Sequence, residues 1–303
     1  MGRSPHPKSR FVLWILVPLA VVFLSSCGVF GGVASGGGVY APAPGALTIS
    51  FIDVGQGDSS LIQAGGENYL IDAGNPEEGP NVVDFLRSRR VDELDGMVST
   101  SGDADHAGGL SDVLDAFTVE NIYVSGYPKE TMTYTNFLRA AQNEKSEGAN
   151  FEEVHAGMRM EWGGVDVDVI NPPPASGEGL FENSNDNSVG VILTYGMARA
   201  LLAGDTEKDA EEYMAMGPYT GPLTVLKVGH HGSNTSTTPL FLSRFPPRIA
   251  VIQCGADNSY GHPTPETLER LGRAGAKVFR NDVHGDVIVT IDKKDVKVEV
   301  QHP

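Results

Sequence analysis

The hydrophobic pattern predicts strands and helices that alternate along the chain from residue 47 onward. Short apolar runs rich in β-branched residues, such as those in LTISFIDVG and LTVLKVG, are typical of buried strands. Between them, NVVDFLRSRRV and TPETLERLGRAG repeat their apolar residues at helical spacing. The segment SVGVILTYGMARALLAGD predicts a hairpin that turns at Gly196. Because strands and helices recur in two successive halves, we predict an α/β fold of the αββα sandwich type, with two packed sheets and helices outside.

The N-terminal segment has a different pattern and predicts a lipoprotein signal peptide over residues 1–27. A basic head precedes the apolar run at 11–24, which is short for a membrane span, and LSSC follows, ending at Cys27. This ending resembles a bacterial lipobox, in which the cysteine is lipidated. We therefore expect an extracytoplasmic lipoprotein on a bacterial cell surface, anchored to the membrane through its N-terminal lipid. An ordinary signal peptide or an uncleaved short anchor is the alternative.

Residues 28–46, rich in Gly, Ala and Pro, predict a flexible tether, which leaves 47–303 as the folded domain. The only other cysteine is Cys254, which follows an apolar run and is expected to be a buried thiol at a strand end. A disulfide framework is therefore not expected.

The formal net charge is -17 over 303 residues. This charge argues against a broad basic face, so we do not expect stable nucleic-acid binding. A phosphodiester substrate is still compatible with this charge, because a metal ion can supply positive charge locally.

The polar residues with metal-binding chemistry share one position: each group follows an apolar strand and lies next to glycine. Since the ends of neighbouring strands meet at one edge of a sheet, we expect these groups to converge. Carboxylates mixed with imidazoles suit Zn²⁺ or Mn²⁺. Taken singly, each group has a structural alternative, such as a helix N-terminal carboxylate or a solvated strand end. The residues concerned are Asp72, Asp103, Asp105, His106, Asp205, His230 and His231.

Several motifs together, FIDVGQGDSSLI, YLIDAG, DADHAGG, LLAGD, LKVGHHGS and YGHPTPETL, closely resemble the metallo-β-lactamase superfamily. Within it, the resemblance is to the hydrolase domain of ComEC-type DNA-uptake (competence) proteins and their free-standing relatives, and it spans about residues 47–299. The resemblance implies the metallo-β-lactamase-like αββα fold and dependence on one or two divalent metal ions.

The resemblance also implies roles for the loop at 101–106. The family's signature has the form His-x-Asp/His-x-Asp-His, and Ser101 stands where its first histidine belongs. Asp103 takes the second ligand position, and Asp105 with His106 takes the last two. The metal position that would use residue 101 is therefore expected to bind a second ion weakly or through water.

The other site residues follow by the same resemblance. Asp205 matches the bridging carboxylate, and either His230 or His231 matches the histidine that closes the site. Asp72 matches a support residue that orients hydrogen bonds, and His262 matches a residue near the cleft, expected to contact phosphate or donate a proton.

We therefore expect a surface-anchored, metal-dependent hydrolase that attacks a phosphodiester, DNA included, through a metal-bound hydroxide, with Asp105 and His262 as catalytic residues. Lys227 is expected either to steer an anionic substrate or to be a solvated strand lysine. One alternative is a non-catalytic binding lipoprotein with a partly degenerate metal site. Another is a hydrolase of carboxyl esters or lactones.

Overall fold

The computed structural model describes residues 1–2, 34–35, 45–174, 180–292 and 295–303. Residues 3–27 of the predicted signal peptide, including Cys27, and most of the tether lie outside the described residues. The strands are β1 Ala34–Ser35, β2 Leu47–Phe51, β3 Ser60–Ala64, β4 Glu67–Ile71, β5 Gly96–Ser99, β6 Asn121–Val124, β7 Asn150–Glu153, β8 Arg159–Trp162, β9 Val165–Asn171, β10 Gly190–Tyr195, β11 Ala198–Leu202, β12 Leu223–Lys227, β13 Pro247–Ile252, β14 Lys277–Arg280, β15 Val287–Ile291 and β16 Val296–Val300. The α-helices are α1 Gly79–Ser88, α2 Ala104–Ala107, α3 Leu110–Ala116, α4 Met132–Glu147, α5 Lys208–Met216, α6 Pro239–Arg244, α7 Pro265–Arg273 and α8 Asn281–His284.

Within the described ranges the strands form two mixed sheets. The first sheet has the order β1-β16-β15-β2-β3-β4-β5-β6-β7, and the second has the order β14-β13-β12-β11-β10-β9-β8. Strands β4 to β7 are parallel to one another, as are β11 to β14. Parallel neighbours need a crossover connection, which explains why helices intervene along these parts of the chain.

The two sheets pack face to face around a core of aliphatic side chains from both, including Ile49 and Ile62 from the first and Val191 and Val225 from the second. Helices α1, α3 and α4 bury their apolar sides on the outer face of the first sheet. Helices α5, α6 and α7 do the same on the second. The predicted αββα sandwich is confirmed.

The predicted hairpin is present, since β10 and β11 pair antiparallel and Gly196 between them has φ 61. Strand β3 was not anticipated from the hydrophobic pattern. None of the helices in the described part of the chain is long and apolar enough to cross a membrane.

Candidate metal centre

Four chain segments bring the site together, and each one follows a strand. Asp72 comes directly after β4, and the loop after β5 leads through Asp105 and His106 into α2. Asp205 lies beyond β11, and His231 lies in the tight turn that follows β12. The strand ends therefore converge at one edge of the sandwich, as the sequence predicts.

Ligand atoms of Asp105, His106, Asp205 and His231 all lie within 4.8 Å of one another. The His106 Nε2 atom is 3.1 Å from a carboxylate oxygen of Asp205. The His231 Nε2 atom is 3.2 Å from a carboxylate oxygen of Asp105 and 3.4 Å from one of Asp205. Two imidazole nitrogens and two carboxylates therefore face a common point.

Asp72 fixes the orientation of His106. Its carboxylate accepts hydrogen bonds from the Thr100 backbone N–H at 2.8 Å and from the Thr100 hydroxyl at 2.5 Å. It lies 2.9 Å from the His106 Nδ1 atom. Because a carboxylate only accepts, His106 donates from Nδ1, and Nε2 is the atom that would bind a metal ion once the ion displaces its proton.

The paired histidines point in different directions, which separates their roles. His231 donates from Nδ1 to the Gln253 carbonyl at 2.9 Å, so its Nε2 atom faces the cluster. His230 instead places Nδ1 2.9 Å from the Glu207 carboxylate. Both residues have left-handed backbone conformations, with φ 45 and 51. Of the two histidines left open by the sequence, His231 lies in the four-residue cluster and His230 lies outside it.

The carboxylates of the cluster favour positive charge on the groups beside them. Burial lowers the pKa of His106 and His231, but Asp205 and its neighbouring carboxylates outweigh burial and raise both pKa values well above the usual range. Conversely, against the effect of burial, the imidazoles of His231 and His106 hold the pKa of Asp205 well below its usual value. A divalent cation that displaces the imidazole protons would satisfy the same carboxylates.

The residues present fit such an ion. Buried atoms His106 Nε2, His231 Nε2 and Asp205 Oδ1 make no hydrogen bond within the described chain. Metal–ligand distances of about 2.0–2.1 Å place neighbouring ligands of a tetrahedral Zn²⁺ site about 3.3 Å apart. The contacts of 3.1 to 3.4 Å match that spacing.

Asp58 belongs to the site and was missed by sequence reasoning. It is buried and lies 3.3 Å from the His231 Nδ1 atom. Gly57 allows its loop to approach, because a Cβ at that position would lie 2.5 Å from the Asp105 carbonyl oxygen. Asp58 precedes a strand, so a search of strand ends overlooks it, although a carboxylate next to glycine in GQGD was a usable signal.

Lys227 is 2 % exposed, so it is neither a solvated lysine nor a group that steers substrate from solvent. Its ammonium donates to the Gly204 carbonyl at 3.0 Å and forms an ion pair with Asp58. Against burial, the Lys227 charge and His231 lower the pKa of Asp58 to about 2. Lys227 therefore balances the carboxylates behind the cluster.

Asp103 does not join the cluster either. Its carboxylate lies 2.7 Å from the Lys129 ammonium. The Ser101 hydroxyl accepts a hydrogen bond from the Asp103 backbone N–H at 3.2 Å. Of the predicted metal ligands, Asp103 and His230 thus lie outside the four-residue cluster, although His230 Nε2 is 3.8 Å from an Asp205 oxygen.

A cleft of about 190 Å³ opens on the cluster and is lined by Gln56, Asp103, Asp105, Asn185, Asp205, His230, His231, Tyr260 and His262. The His262 imidazole packs against the rings of Tyr260 and His230. Burial, followed by the positive charge of the neighbouring histidines, lowers the pKa of His262. This imidazole is therefore placed beside the cluster.

Comparison with known proteins agrees with this geometry. The sequence model of the metallo-beta-lactamase superfamily matches residues 52–256. Igni18, described as a novel metallo hydrolase from the archaeon Ignicoccus hospitalis, shares the fold: TM-score 0.52, 17% identity, 82% of this chain and 100% of that chain covered.

Two bacterial relatives are more similar in sequence. ComE operon protein 3 of Bacillus subtilis is 30% identical over 79% of this chain and 32% of its own length. Competence protein ComA of Neisseria gonorrhoeae is 32% identical over 82% of this chain and 33% of its own length. The chain thus spans about a third of the length of these relatives, and the resemblance to competence proteins is confirmed. From its sequence match, its sandwich and the cluster at its edge, the chain belongs to the metallo-beta-lactamase superfamily.

Proposed function

We propose that the protein is a metal-dependent hydrolase whose substrate is a phosphodiester. The observation that carries the proposal is the convergence of Asp105, His106, Asp205 and His231 at the base of an open cleft. The superfamily match and the relatedness to competence proteins support it.

Asp105, His106, Asp205 and His231 would hold a divalent Zn²⁺ or Mn²⁺ ion, which would supply a nucleophile at neutral pH and polarise the bond to be broken. His231 and His106 would bind it through Nε2, because Asp72 and the Gln253 carbonyl keep both rings oriented. The His262 Nδ1 atom is buried, so this residue would act through Nε2, which can donate a hydrogen bond to a phosphate oxygen or to the leaving group. Asp105 acts as a ligand that faces the cleft.

The lining of the cleft favours a phosphodiester over a carboxyl ester. Gln56, Asn185, Tyr260 and His262 present neutral groups that can donate hydrogen bonds to phosphate oxygens. The net charge of -17 opposes tight binding of a long polyanion, so recognition is local to the scissile phosphodiester. DNA would therefore be recognised at the phosphodiester that is cleaved and not along an extended strand.

The decisive experiment combines metal analysis with turnover. Protein stripped with a chelator and reloaded with Mn²⁺ or Zn²⁺ is assayed with bis(p-nitrophenyl) phosphate and with p-nitrophenyl acetate. We expect turnover of the phosphodiester only in loaded protein, and a loss of at least about 100-fold in His231→Ala. His155→Ala is the matched control, because His155 is exposed and remote in the chain from the cluster residues.

Other results identify the alternatives. Loaded protein that turns over neither substrate would indicate a binding protein without catalysis. Faster cleavage of the acetate ester would indicate an esterase or lactonase.

We further propose that the enzyme is an extracytoplasmic lipoprotein anchored through Cys27, on the basis of the basic head, apolar run and LSSC ending. Expressed in a bacterium fed a labelled fatty acid, the protein should incorporate label and partition into detergent. Cys27→Ser should abolish both. Equal labelling of the two proteins would refute the anchor without touching the hydrolase proposal.

A further inference from the structure

The carboxylate of Asp103 is paired with a lysine of a neighbouring loop. Its Oδ1 atom lies 2.7 Å from the Lys129 ammonium. Asp103 is the N-cap residue of α2, yet its side chain makes no capping hydrogen bond. Within the described chain it is also absent from the group whose ligand atoms lie within 4.8 Å of one another. The ion pair is therefore the main contact of this carboxylate.

Packing of the surrounding loops holds Lys129 in position. Lys129 lies in the connection between β6 and α4, and α4 is capped by the Thr131 hydroxyl, which accepts a hydrogen bond from Tyr134 N–H at 3.1 Å. Gly102 lets this connection pack on the loop of the metal centre. A Cβ at Gly102 would lie 2.7 Å from the Lys129 Cβ and 2.9 Å from the Tyr134 Cγ.

Ser101 offers no imidazole at the position where the family's signature has its first histidine. Its hydroxyl accepts a hydrogen bond from the Asp103 backbone N–H, and its carbonyl accepts one from the Ser99 hydroxyl at 2.7 Å. A second divalent ion beside Asp103 would lack the imidazole of residue 101 and would face the Lys129 ammonium at close range. Both effects oppose its binding, the first through lost coordination and the second through repulsion between like charges.

We propose that the Lys129 ammonium replaces a second metal ion beside Asp103, so that each chain holds one divalent ion. This inference rests on the metal centre of the proposed function and specifies its stoichiometry. The single ion lies among Asp105, His106, Asp205 and His231, while Asp103 forms part of the cleft wall, neutralised from within the chain.

Metal binding to four full-length proteins tests the proposal: the wild type, Ser101→His, Lys129→Met and the double variant Ser101→His/Lys129→Met. Methionine keeps an unbranched chain of similar length but removes the charge. Equilibrium dialysis with elemental analysis counts bound Mn²⁺ or Zn²⁺, and calorimetry gives each Kd. Lys297→Met is the matched control, because Lys297 forms a similar ion pair with Glu299 at 2.8 Å in β16.

We expect one ion per chain in the wild type and in Lys297→Met, and two in the double variant. The second ion should bind the double variant at least 10-fold more tightly than it binds Ser101→His alone. Two ions of comparable affinity in the wild type would overturn the proposal while leaving the proposed function standing. A double variant that still binds one ion would also overturn the proposal. A wild type that binds no ion would overturn both this proposal and the proposed function.

A measurement on the wild type avoids dependence on how the variants fold. Crystals of wild-type protein soaked in Mn²⁺ should show one anomalous peak, at the four-residue cluster, with Lys129 still paired to Asp103. A second peak at Asp103 with Lys129 displaced would refute the proposal. One peak together with failure to hydrolyse any phosphodiester would sustain the stoichiometry and reject the proposed reaction.

Discussion

Two consecutive histidines in this protein have different surroundings, although the sequence gives no reason to prefer either. Left-handed backbone at both positions turns His231 inward, where it is 2 % exposed, and leaves His230 at the cleft beside Glu207. In each imidazole Nδ1 contacts a fixed oxygen, of Gln253 for His231 and of Glu207 for His230. The direction in which Nε2 then points sets the role of the residue.

This difference predicts unequal effects of two matched substitutions. His231→Ala should weaken binding of the tight Mn²⁺ or Zn²⁺ ion by roughly 100-fold or more, because it removes a ligand nitrogen. His230→Ala should weaken it by less than about 10-fold, because His230 lies outside the four-residue cluster, with Nδ1 against Glu207 and Nε2 3.8 Å from an Asp205 oxygen. Calorimetric titration of chelator-stripped protein measures both. Equal losses, or a greater loss in His230→Ala, would reverse the assignment.

Asp72 affords a second prediction at this scale. Its φ of 59 is a conformation that asparagine tolerates, so Asp72→Asn should fold. Without the carboxylate charge, His106 is a weaker ligand, and we expect metal affinity to fall by about 10- to 100-fold. Metal titration, with circular dichroism to check the fold, measures this effect. An unchanged Kd would show that Asp72 does not orient His106.

At the scale of elements, helices and turns hold the loops of the centre in place. Glu211 of α5 is 1 % exposed, and its carboxylate accepts hydrogen bonds from the backbone N–H groups of Thr237 and Thr238, just before α6 begins. Burial raises the pKa of Glu211 to about 7, although these N–H groups and Arg270 lower it. The helix α5 and the segment after the HHGS turn are therefore joined by a titratable group.

The stability of the fold should accordingly fall with rising pH. The folded-state pKa of Glu211 is higher than its ordinary value of 4.5. The stabilisation that protonated Glu211 provides is therefore complete below pH 4.5 and is lost as the pH rises through about 7. The shift corresponds to about 3 kcal/mol of unfolding free energy. Urea unfolding in chelator from pH 4.5 to 8 should show a steeper fall in the wild type than in Glu211→Gln, because the raised pKa values of His106 and His231 contribute equally to both profiles.

Glu212→Gln serves as the control for this experiment, because Glu212 is exposed on the same helix and pairs with Lys208. It should keep the wild-type slope. Parallel profiles for wild type and Glu211→Gln would mean that Glu211 titrates normally.

The position of a residue relative to its strand also explains which site residues the sequence predicts and which it misses. Strand ends such as those carrying Asp205 and His231 were predicted because apolar runs stop at glycine and polar residues there. Asp58 escaped because it lies at the beginning of β3, and its approach to His231 depends on packing between distant loops. Hydrophobic periodicity reports which segments are strands, but not which loops meet.

At the scale of the whole molecule, the two sheets are joined by their shared core. Trp162 of β8 is 1 % exposed and stacks on Tyr69 of β4, with ring centroids 4.4 Å apart. One ring comes from each sheet, so this contact stabilises the sandwich that positions the strand ends.

Removing this contact should destabilise the entire fold. Trp162→Ala should cost about 3–5 kcal/mol of unfolding free energy, because it empties a large buried volume. Trp162→Phe should cost less, since it retains an aromatic ring and removes an indole N–H that makes no hydrogen bond in the described chain. Urea denaturation followed by circular dichroism measures both. A cost below about 1 kcal/mol for Trp162→Ala would show that the sheets do not depend on this stack.

Apolar periodicity and glycine-flanked polar groups are local features, and from them the sequence predicts the sandwich, most of its strands and helices, and the residue types that gather at one edge. It is the packing of distant loops that turns His231 rather than His230 into the cluster, buries Lys227 against Asp58 and pairs Lys129 with Asp103. Each of these depends on a few ångströms between loops far apart in the chain. Such distances follow from the packing of the sheets and turns, which no local pattern records.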